Sequence, residues 1–368
     1  MTSLRLEHIV KDYDGPGGRQ PALRDISLEV GDGEALAIVG PSGCGKSTLL
    51  KVVAGLEFPT HGRIYYGDLD MTEIKPQDRG VGMVFQDYAL YPAMKSKGNL
   101  AYYFEHHAYT HEQMEERVRR TAELMGVDFQ HLLGRFPETL SGGEQQRVAI
   151  ARCIVRDPTI FLMDEPIVNL DAKRREQTRI EIKKLLRTFR VTTLYVTHDQ
   201  QEAIFMGDRL AVMRAGRIEQ VGSFDDLYYA PVNLFVATFI GSPPLTVLPA
   251  ALSEGRLHIA GQSWPLPEEL AGHLPSGPLR LGVRAEHWLR DQPDGLPLEI
   301  SHSERIPTER IALVHGHWLG QRVIVSLPLE EADDSRGLQR LRPDWEQLLY
   351  FAADDEHLLY SPGPPALF

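Results

Sequence analysis

The stretch Gly40-Pro41-Ser42-Gly43-Cys44-Gly45-Lys46-Ser47, followed by Thr48, constrains this chain more than any other. It fits the spacing G-x-x-x-x-G-K-[ST]. Glycines let a backbone curl until successive N–H groups face inward, which makes a cradle for phosphate oxygens. In such a cradle Lys46 can reach β- and γ-phosphates, Ser47 can offer its hydroxyl to Mg²⁺, and a helix N-terminus adds its dipole. The flanks agree with this reading. EALAIVG (34–40) has the pattern of a buried strand, and KSTLLKVVAG (46–55) that of a helix opening at once. Cys44 lies in the loop near a helix start, a setting that lowers a thiol's pKa; a small packing residue fits there equally. It is given no catalytic role.

Beyond this loop, strand and helix patterns alternate. TIFLMD (159–164) and TTLYVTH (192–198) are short apolar runs suited to a buried parallel sheet. Between them Ile182, Leu185, Leu186 and Phe189 repeat at helical spacing. Such alternation predicts an α/β sheet with right-handed crossovers. Residues 88–157 hold polar helical stretches such as HEQMEERVRRTAELMG (111–126) and little strand signal, so they predict a helical subdomain inserted in the α/β core. Near Gly241 the composition changes. PLRLGV (278–283) and RVIVSLP (322–328) lie between Gly/Pro turns and predict a small β-barrel.

Charge narrows the function. A formal net charge of −12 argues against a general nucleic-acid binder, so any phosphate site must be built locally. No apolar run reaches the roughly 20 residues that span a bilayer. The N-terminal MTSLRLEHIVKDYDG has charges where a secretory leader needs an apolar stretch, which predicts a cytosolic chain whose membrane role comes through a partner. The two cysteines, Cys44 and Cys153, make neither a disulfide framework nor a metal cluster.

Two strand ends supply candidate chemistry. TIFLMD ends in Asp164-Glu165-Pro166, and a carboxylate at the end of a strand beside a phosphate loop can hold Mg²⁺. Glu165 can polarise an attacking water, and Pro166 stops the strand. His198 ends the next strand, where an imidazole can touch a γ-phosphate or serve as a structural hydrogen-bonder. The residues leave both open.

Leu140-Ser141-Gly142-Gly143-Glu144 runs on as QQRVAIAR (145–152). Ser141-x-x-Glu144 is a capping box, which by itself needs no glycines. With them, the stretch resembles the signature motif of ATP-binding cassette (ABC) ATPases, and the other motifs follow in that family's order over residues 4–243. The resemblance implies that Tyr13 stacks on adenine, that Gln86 senses Mg²⁺ and the membrane partner, that Asp171 is the D-loop aspartate, and that His198 is the switch histidine. It also implies a head-to-tail dimer, each ATP lying between one copy's phosphate loop and Ser141, Gly142, Gly143 and Glu144 of the other.

Within that family the chain is most similar to the ATPases of maltose-type carbohydrate importers. The similarity lies in PQDRGVGMVFQDYALYP (76–92), LYYAPVNLFVATFIGSPP (227–244) and LGVRAEH (281–287), and is faint past about 290. Three departures stand out: Glu144 where glutamine is commonest, Val168 where the D-loop usually has serine, and MKSKGNLAYYFEHHAY (94–109) where the transmembrane partner would dock.

The expected architecture is an ABC ATPase domain over 1–240, an α/β P-loop core with the helical subdomain at about 88–157, followed over 241–368 by an OB-like (TOBE-type) all-β barrel of regulatory type. The expected function is MgATP hydrolysis powering import of a sugar or related polyol, with Lys46, Gln86, Glu165 and His198 catalytic and Ser47, Gln86 and Asp164 on the metal. Expected partners are a second copy, permease subunits and, indirectly, a solute-binding protein, but no nucleic acid. The expected place is the cytoplasmic face of the cell membrane. The alternative is a soluble ABC ATPase, or an ATP-dependent regulatory module, without a transport role.

Overall fold

A computed structural model describes residues 2–15, 18–167, 172–290, 292–331 and 340–364. The chain divides into two compact units, Met1–Val221 and Gly222–Phe368.

The first unit begins with β1 (Leu4–Gly15), β2 (Gly18–Val30), β3 (Ala35–Val39), α1 (Lys46–Ala54), β4 (His61–Tyr66), β5 (Leu69–Asp70) and β6 (Val81–Val84). Helices α2 (Ser96–Glu105), α3 (His111–Leu124) and α4 (Gly142–Ile154) follow. It closes with β7 (Ile160–Asp164), α5 (Ala172–Phe189), β8 (Thr192–Val196), α6 (Gln200–Met206), β9 (Arg209–Arg214) and β10 (Arg217–Gly222). The central sheet has the order β10-β9-β3-β8-β7-β6, and β9, β3, β8, β7 and β6 pair in parallel. Every residue of β3, β7 and β8 is buried, as a sheet covered on both faces requires. A second, antiparallel sheet of order β2-β1-β4-β5 packs its apolar face (Leu4, Leu6, Ile9, Ile26, Ile64) into the same core as α1.

Helix α1 turns Leu49, Leu50, Val52 and Val53 into that core, each worth roughly 1.5–3 kcal/mol of burial. It stops at Gly55, whose φ of 75° is the left-handed conformation that ends helices cheaply. Arg79 lies just beyond, 2% exposed, and donates to the carbonyls of Thr72, Ile74, Val52 and Val53. It staples the loop before β6 to α1.

Residues 88–157 contain α2, α3 and α4 and no strand. Helix α3 starts from a capping box, Thr110 with Gln113. Asn99 of α2 is buried and ties down the preceding loop. Its amide oxygen accepts from the Tyr91 N–H, and its NH₂ donates to the Tyr91 and Met94 carbonyls.

The second unit opens with two short helices, α7 (Phe224–Tyr229) and α8 (Leu234–Phe239). Then come β11 (Thr246–Ser253), β12 (Arg256–Ile259), β13 (Gln262–Pro265), α9 (Glu268–His273), β14 (Gly277–Val283) and β15 (Trp288–Arg290). The remaining strands are β16 (Leu296–Ile306), β17 (Ile311–Trp318), β18 (Gln321–Pro328), β19 (Arg340–Pro343), β20 (Leu349–Ala352) and β21 (Leu358–Tyr360). They form two antiparallel sheets, β13-β12-β11-β14-β20-β21 and β15-β19-β16-β17-β18, around one core. The all-β region expected at this end of the chain is therefore present. The compact unit starts at Gly222, ahead of the composition change near Gly241, because Arg284 at the end of β14 holds α7 and α8. Its guanidinium donates to the carbonyls of Tyr228, Ala237 and Ile240, and lies 3.9 Å from the Tyr228 ring centroid.

Arg284→Met leaves those carbonyls without their donor and is expected to cost about 3 kcal/mol or more. All four tryptophans (Trp264, Trp288, Trp318, Trp345) lie in the second unit. Denaturant unfolding followed by tryptophan fluorescence therefore reads this unit, and an unchanged midpoint would contradict the staple.

Candidate nucleotide site

The carboxyl ends of β3, β8, β7 and β6 lie side by side, the edge where open parallel sheets bind ligands. From β3 the chain enters the loop 40–45 and then α1. Gly43 (φ 77°) and Gly45 (φ 110°) take left-handed conformations, which curls the loop as the spacing predicts. Gly40 is excluded from bearing a side chain for a different reason: a Cβ there would meet the Met213 carbonyl oxygen at 2.2 Å. The first N–H groups of a helix lack intrahelical acceptors, and no side chain caps α1. Ser42 and Gly43 are exposed, so the cradle is open to solvent.

Lys46 is 6% exposed and curls back over the loop, with Nζ donating to Gly40 O at 2.7 Å and Pro41 O at 3.1 Å. No carboxylate of the described residues pairs with it. Nζ also lies 3.9 Å from Cys44 Sγ, and an ammonium held by carbonyls and a thiol, without a carboxylate, at the mouth of an open cradle is suited to meet an anion. Ser47 Oγ donates to Asp164 Oδ1 at 2.9 Å, joining the first turn of α1 to the end of β7. Burial pushes the Asp164 carboxyl up; the Ser47 hydrogen bond opposes this, and the nearby Glu165 charge adds to it. Thr48, half-buried, completes the first turn.

Glu165 follows Asp164 in a left-handed conformation, φ 46°, with its N–H donating to Val196 O at 2.9 Å. That conformation costs energy in a non-glycine residue and re-aims the side chain away from the strand's alternation. Its Oε2 lies 3.1 Å from His198 Nδ1 at the end of the adjacent strand β8. The structure thus joins the two strand-end residues that the sequence names separately. Gln86 is exposed two residues past the end of β6; Val84 pairs with Met163, so Gln86 leaves the sheet beside Asp164 and Glu165.

Ser141 is the N-cap of α4, and its N–H donates to Glu144 Oε2 at 2.7 Å. Gly142 and Gly143 form the first turn. Tyr13 stands on β1, 36% exposed, with Lys11 Nζ 5.0 Å from its ring centroid. Asp171 and Val168 lie outside the described residues. The sequence did not show the left-handed Glu165, the Arg79 staple, or a cavity of about 540 Å³ lined by Phe85, Tyr91, Tyr102, Tyr103, Arg152 and Arg156 among others. Part of the unusual stretch 94–109 lines this cavity. Arg156 lies 4.2 Å from the ring centroid of Tyr103, a contact that only a helix-to-helix view reveals.

Among the described residues no cluster of three or more His, Cys, Asp or Glu side chains can hold a metal. Mg²⁺ needs no such cluster, since it keeps several waters and takes one or two protein oxygens plus phosphate. The buried Asp164 and the Ser47 hydroxyl are such oxygens, so the donors present fit it.

A curling glycine loop, an unpaired lysine and a hydroxyl–carboxylate pair at the end of a parallel sheet define a P-loop nucleotide-binding fold. Residues 23–168 match the ABC transporter family. The sn-glycerol-3-phosphate import ATP-binding protein UgpC of Yersinia pseudotuberculosis is 45% identical over 334 residues, covering 90% of this chain and 92% of that protein. The protein of the same name from Pectobacterium atrosepticum is 44% identical over 339 residues, covering 90% and 92%. A solved structure described as a dimeric, post-hydrolysis state of the ATP-binding cassette MJ0796 bound to ADP and Pi is 31% identical, with a TM-score of 0.53 over 60% of this chain and 98% of that one. This chain belongs to the ATP-binding subunits of ABC importers, the ATPases that power solute import. No helix among the described residues is long and apolar enough to cross a membrane.

The cysteines give a test of the loop's packing. Burial raises the Cys44 thiol, with the charge of Lys46 opposing, and pushes Cys153 up to about 11. At about pH 8, where a free thiol of pKa about 8.5 is substantially ionised, both should alkylate slowly in the folded chain and fast once unfolded. Rapid native labelling of Cys44, read by mass spectrometry, would contradict the packed position.

Proposed function

We propose that this chain hydrolyses MgATP at a site shared between two copies, and that hydrolysis drives uptake of a sugar, polyol or polyol phosphate through a separate permease. The observation that carries the reading is the convergence of two pairs, Ser47 with Asp164 at 2.9 Å and Glu165 with His198 at 3.1 Å, at one sheet edge. The relatives are named for sn-glycerol-3-phosphate import, which favours a polyol phosphate within the solute class.

In this reading the N–H groups of residues 40–48 wrap the phosphates, and Lys46 turns from its loop carbonyls to the β- and γ-phosphate oxygens. Tyr13 stacks on the adenine. Ser47 and Asp164 hold Mg²⁺, with Gln86 beside them; the ion would offset phosphate charge. Glu165 accepts a hydrogen bond from the attacking water and receives its proton. The water oxygen bonds to the γ-phosphorus as the bond to the β–γ bridging oxygen breaks, leaving ADP and phosphate. His198, held by Glu165, donates to a γ-phosphate oxygen. Ser141 and the N–H groups of Gly142 and Gly143, with Glu144 behind them, close the site from the second copy, and Asp171 lies on the dimer contact.

The permease docks at the cavity beside α2, which puts the subunit on the cytoplasmic face of the membrane, and a solute-binding protein acts on the far side. The support for docking is an accessible aromatic-lined cavity one loop from Gln86. Nucleic acid is not a partner.

Glu165→Gln is expected to keep ATP binding, lower turnover about 10²–10⁴-fold and accumulate an ATP-bound dimer; near-normal hydrolysis would remove Glu165 from the mechanism. Lys46→Ala is expected to abolish hydrolysis. Mixing Ser141→Arg with Lys46→Ala chains tests the shared site. Each homodimer is inactive, while the mixed dimer contains one intact composite site and recovers partial turnover. A structure of the Glu165→Gln dimer in which Ser141 meets the nucleotide of its own chain would reject sharing.

A further inference from the structure

His198 projects from a turn whose other residues are all tied down. Its own side chain is 53% exposed and meets Glu165. Thr197, one residue earlier, is 2% exposed; its N–H donates to Ile38 O of β3 at 3.3 Å and its Oγ1 donates to Glu202 Oε2 at 3.1 Å. Asp199, one residue later, donates its N–H to Thr197 Oγ1 at 3.1 Å and caps α6 by accepting from the Glu202 N–H at 3.1 Å. Tyr195, fully buried on β8, donates its hydroxyl to Glu202 Oε1.

Glu202 is the unexpected member. It is 5% exposed and in no ion pair among the described residues; burial raises its pKa, with its hydrogen bonds and the charge of His198 opposing. A carboxyl in that position destabilises the fold relative to an apolar side chain unless its oxygens are satisfied. Here both oxygens are satisfied, by Tyr195 and Thr197, which precede His198.

We propose that Tyr195, Thr197 and Glu202 form a positioning network for His198. The network fixes the direction in which the residue-198 side chain leaves the turn and so holds its Nδ1 against Glu165. Thr197 is the joint: its one hydroxyl both donates to Glu202 and accepts from the Asp199 N–H, locking the residues on either side of the histidine. None of the three touches substrate; they act through His198. The inference rests on the assignment of His198 to the hydrolytic site made above.

The test uses the full chain and two readouts. Thr197→Val keeps the β-branched shape and removes the hydroxyl; it is expected to lower kcat roughly 10- to 100-fold, as misplacement of an active-site group does, with KM for ATP little changed. Thr197→Ser restores most of the turnover. In a His198→Ala background Thr197→Val costs nothing further, because the group it positions is gone. Native turnover in Thr197→Val, or the same loss in both backgrounds, overturns the proposal. Should Thr197→Val melt far below the native chain, Tyr195→Phe, which removes the other donor to Glu202, is read by the same criteria. The second readout does not need hydrolysis. In ¹⁵N-histidine spectra, Glu165→Gln moves the His198 Nδ1 resonance in the native and Thr197→Ser chains but not in Thr197→Val. An undiminished response in Thr197→Val rejects the network whatever the kinetics show. A native chain without ATPase activity rejects the proposed function instead, and this spectroscopic response then decides the network alone.

Discussion

The hydrogen bond from Ser47 to Asp164 spans 117 residues of chain, and the candidate site depends on it. It forms only because β3, β8 and β7 are neighbours in register, with Ala35 opposite Thr193 and Asp164 opposite Val196. A slip of one residue would turn Asp164 to the other face of the sheet and separate it from the loop. Complete burial of the three strands prevents that slip, since it would force the packing of both faces to be rebuilt. The apolar core therefore fixes the chemistry by fixing register. Glu165 then departs from the strand pattern through its left-handed φ, so two consecutive carboxylates point to different tasks instead of to opposite faces.

What the sequence revealed follows from the range of the interactions. The loop 40–48 and α1 were legible because a glycine pattern and a helix start are local, and β7 and β8 because short apolar runs between turn residues have few other uses. The antiparallel sheet was not legible as a sheet. Strand β1 breaks register between Leu6 and Ile9, again by Lys11, and again by Asp12, so its alternation is disrupted just where it pairs with β2. The Glu165–His198 pair was equally hidden. Each residue is visible as a strand end, but their contact depends on strand order, which a single chain does not display.

Two residues inside stretches that mark the importer-type ATPases turn out to be staples. Arg79 in PQDRGVGMVFQ and Arg284 in LGVRAEH are both buried without a carboxylate partner, and both donate to backbone carbonyls, Arg284 through its two terminal nitrogens alone. Burial lowers the pKa of each guanidinium. Arginine suits this work because its planar fork presents donors in several directions at once. The work of the first is to tie a loop to the end of a helix, and that of the second is to hold two short helices. The carbonyls they serve come from loops and helix ends that only the folded chain assembles.

Glu144 shows how a departure from the family pattern is absorbed. A glutamine at the third position of α4 would cap the helix without charge; Glu144 caps it with a carboxylate, accepting the Ser141 N–H at 2.7 Å. At a helix N-terminus that charge is favourable on its own account. In a helix proposed to face the γ-phosphate of a second copy it is also a repulsive charge beside an anion. Arg135 resolves the conflict: its Nη1 donates to Glu144 Oε1 at 2.9 Å, and it also donates to the Thr139 carbonyl just before the motif. Burial raises the Glu144 carboxyl, but the hydrogen bonds from Ser141 and the Arg135 charge together bring it below the usual range, so it stays ionised and paired. The pair leaves the Gly142 and Gly143 N–H groups as the net positive feature of the turn. Glutamic acid at 144 is therefore tolerable in this chain because arginine stands at 135, and the two positions form one electrostatic unit.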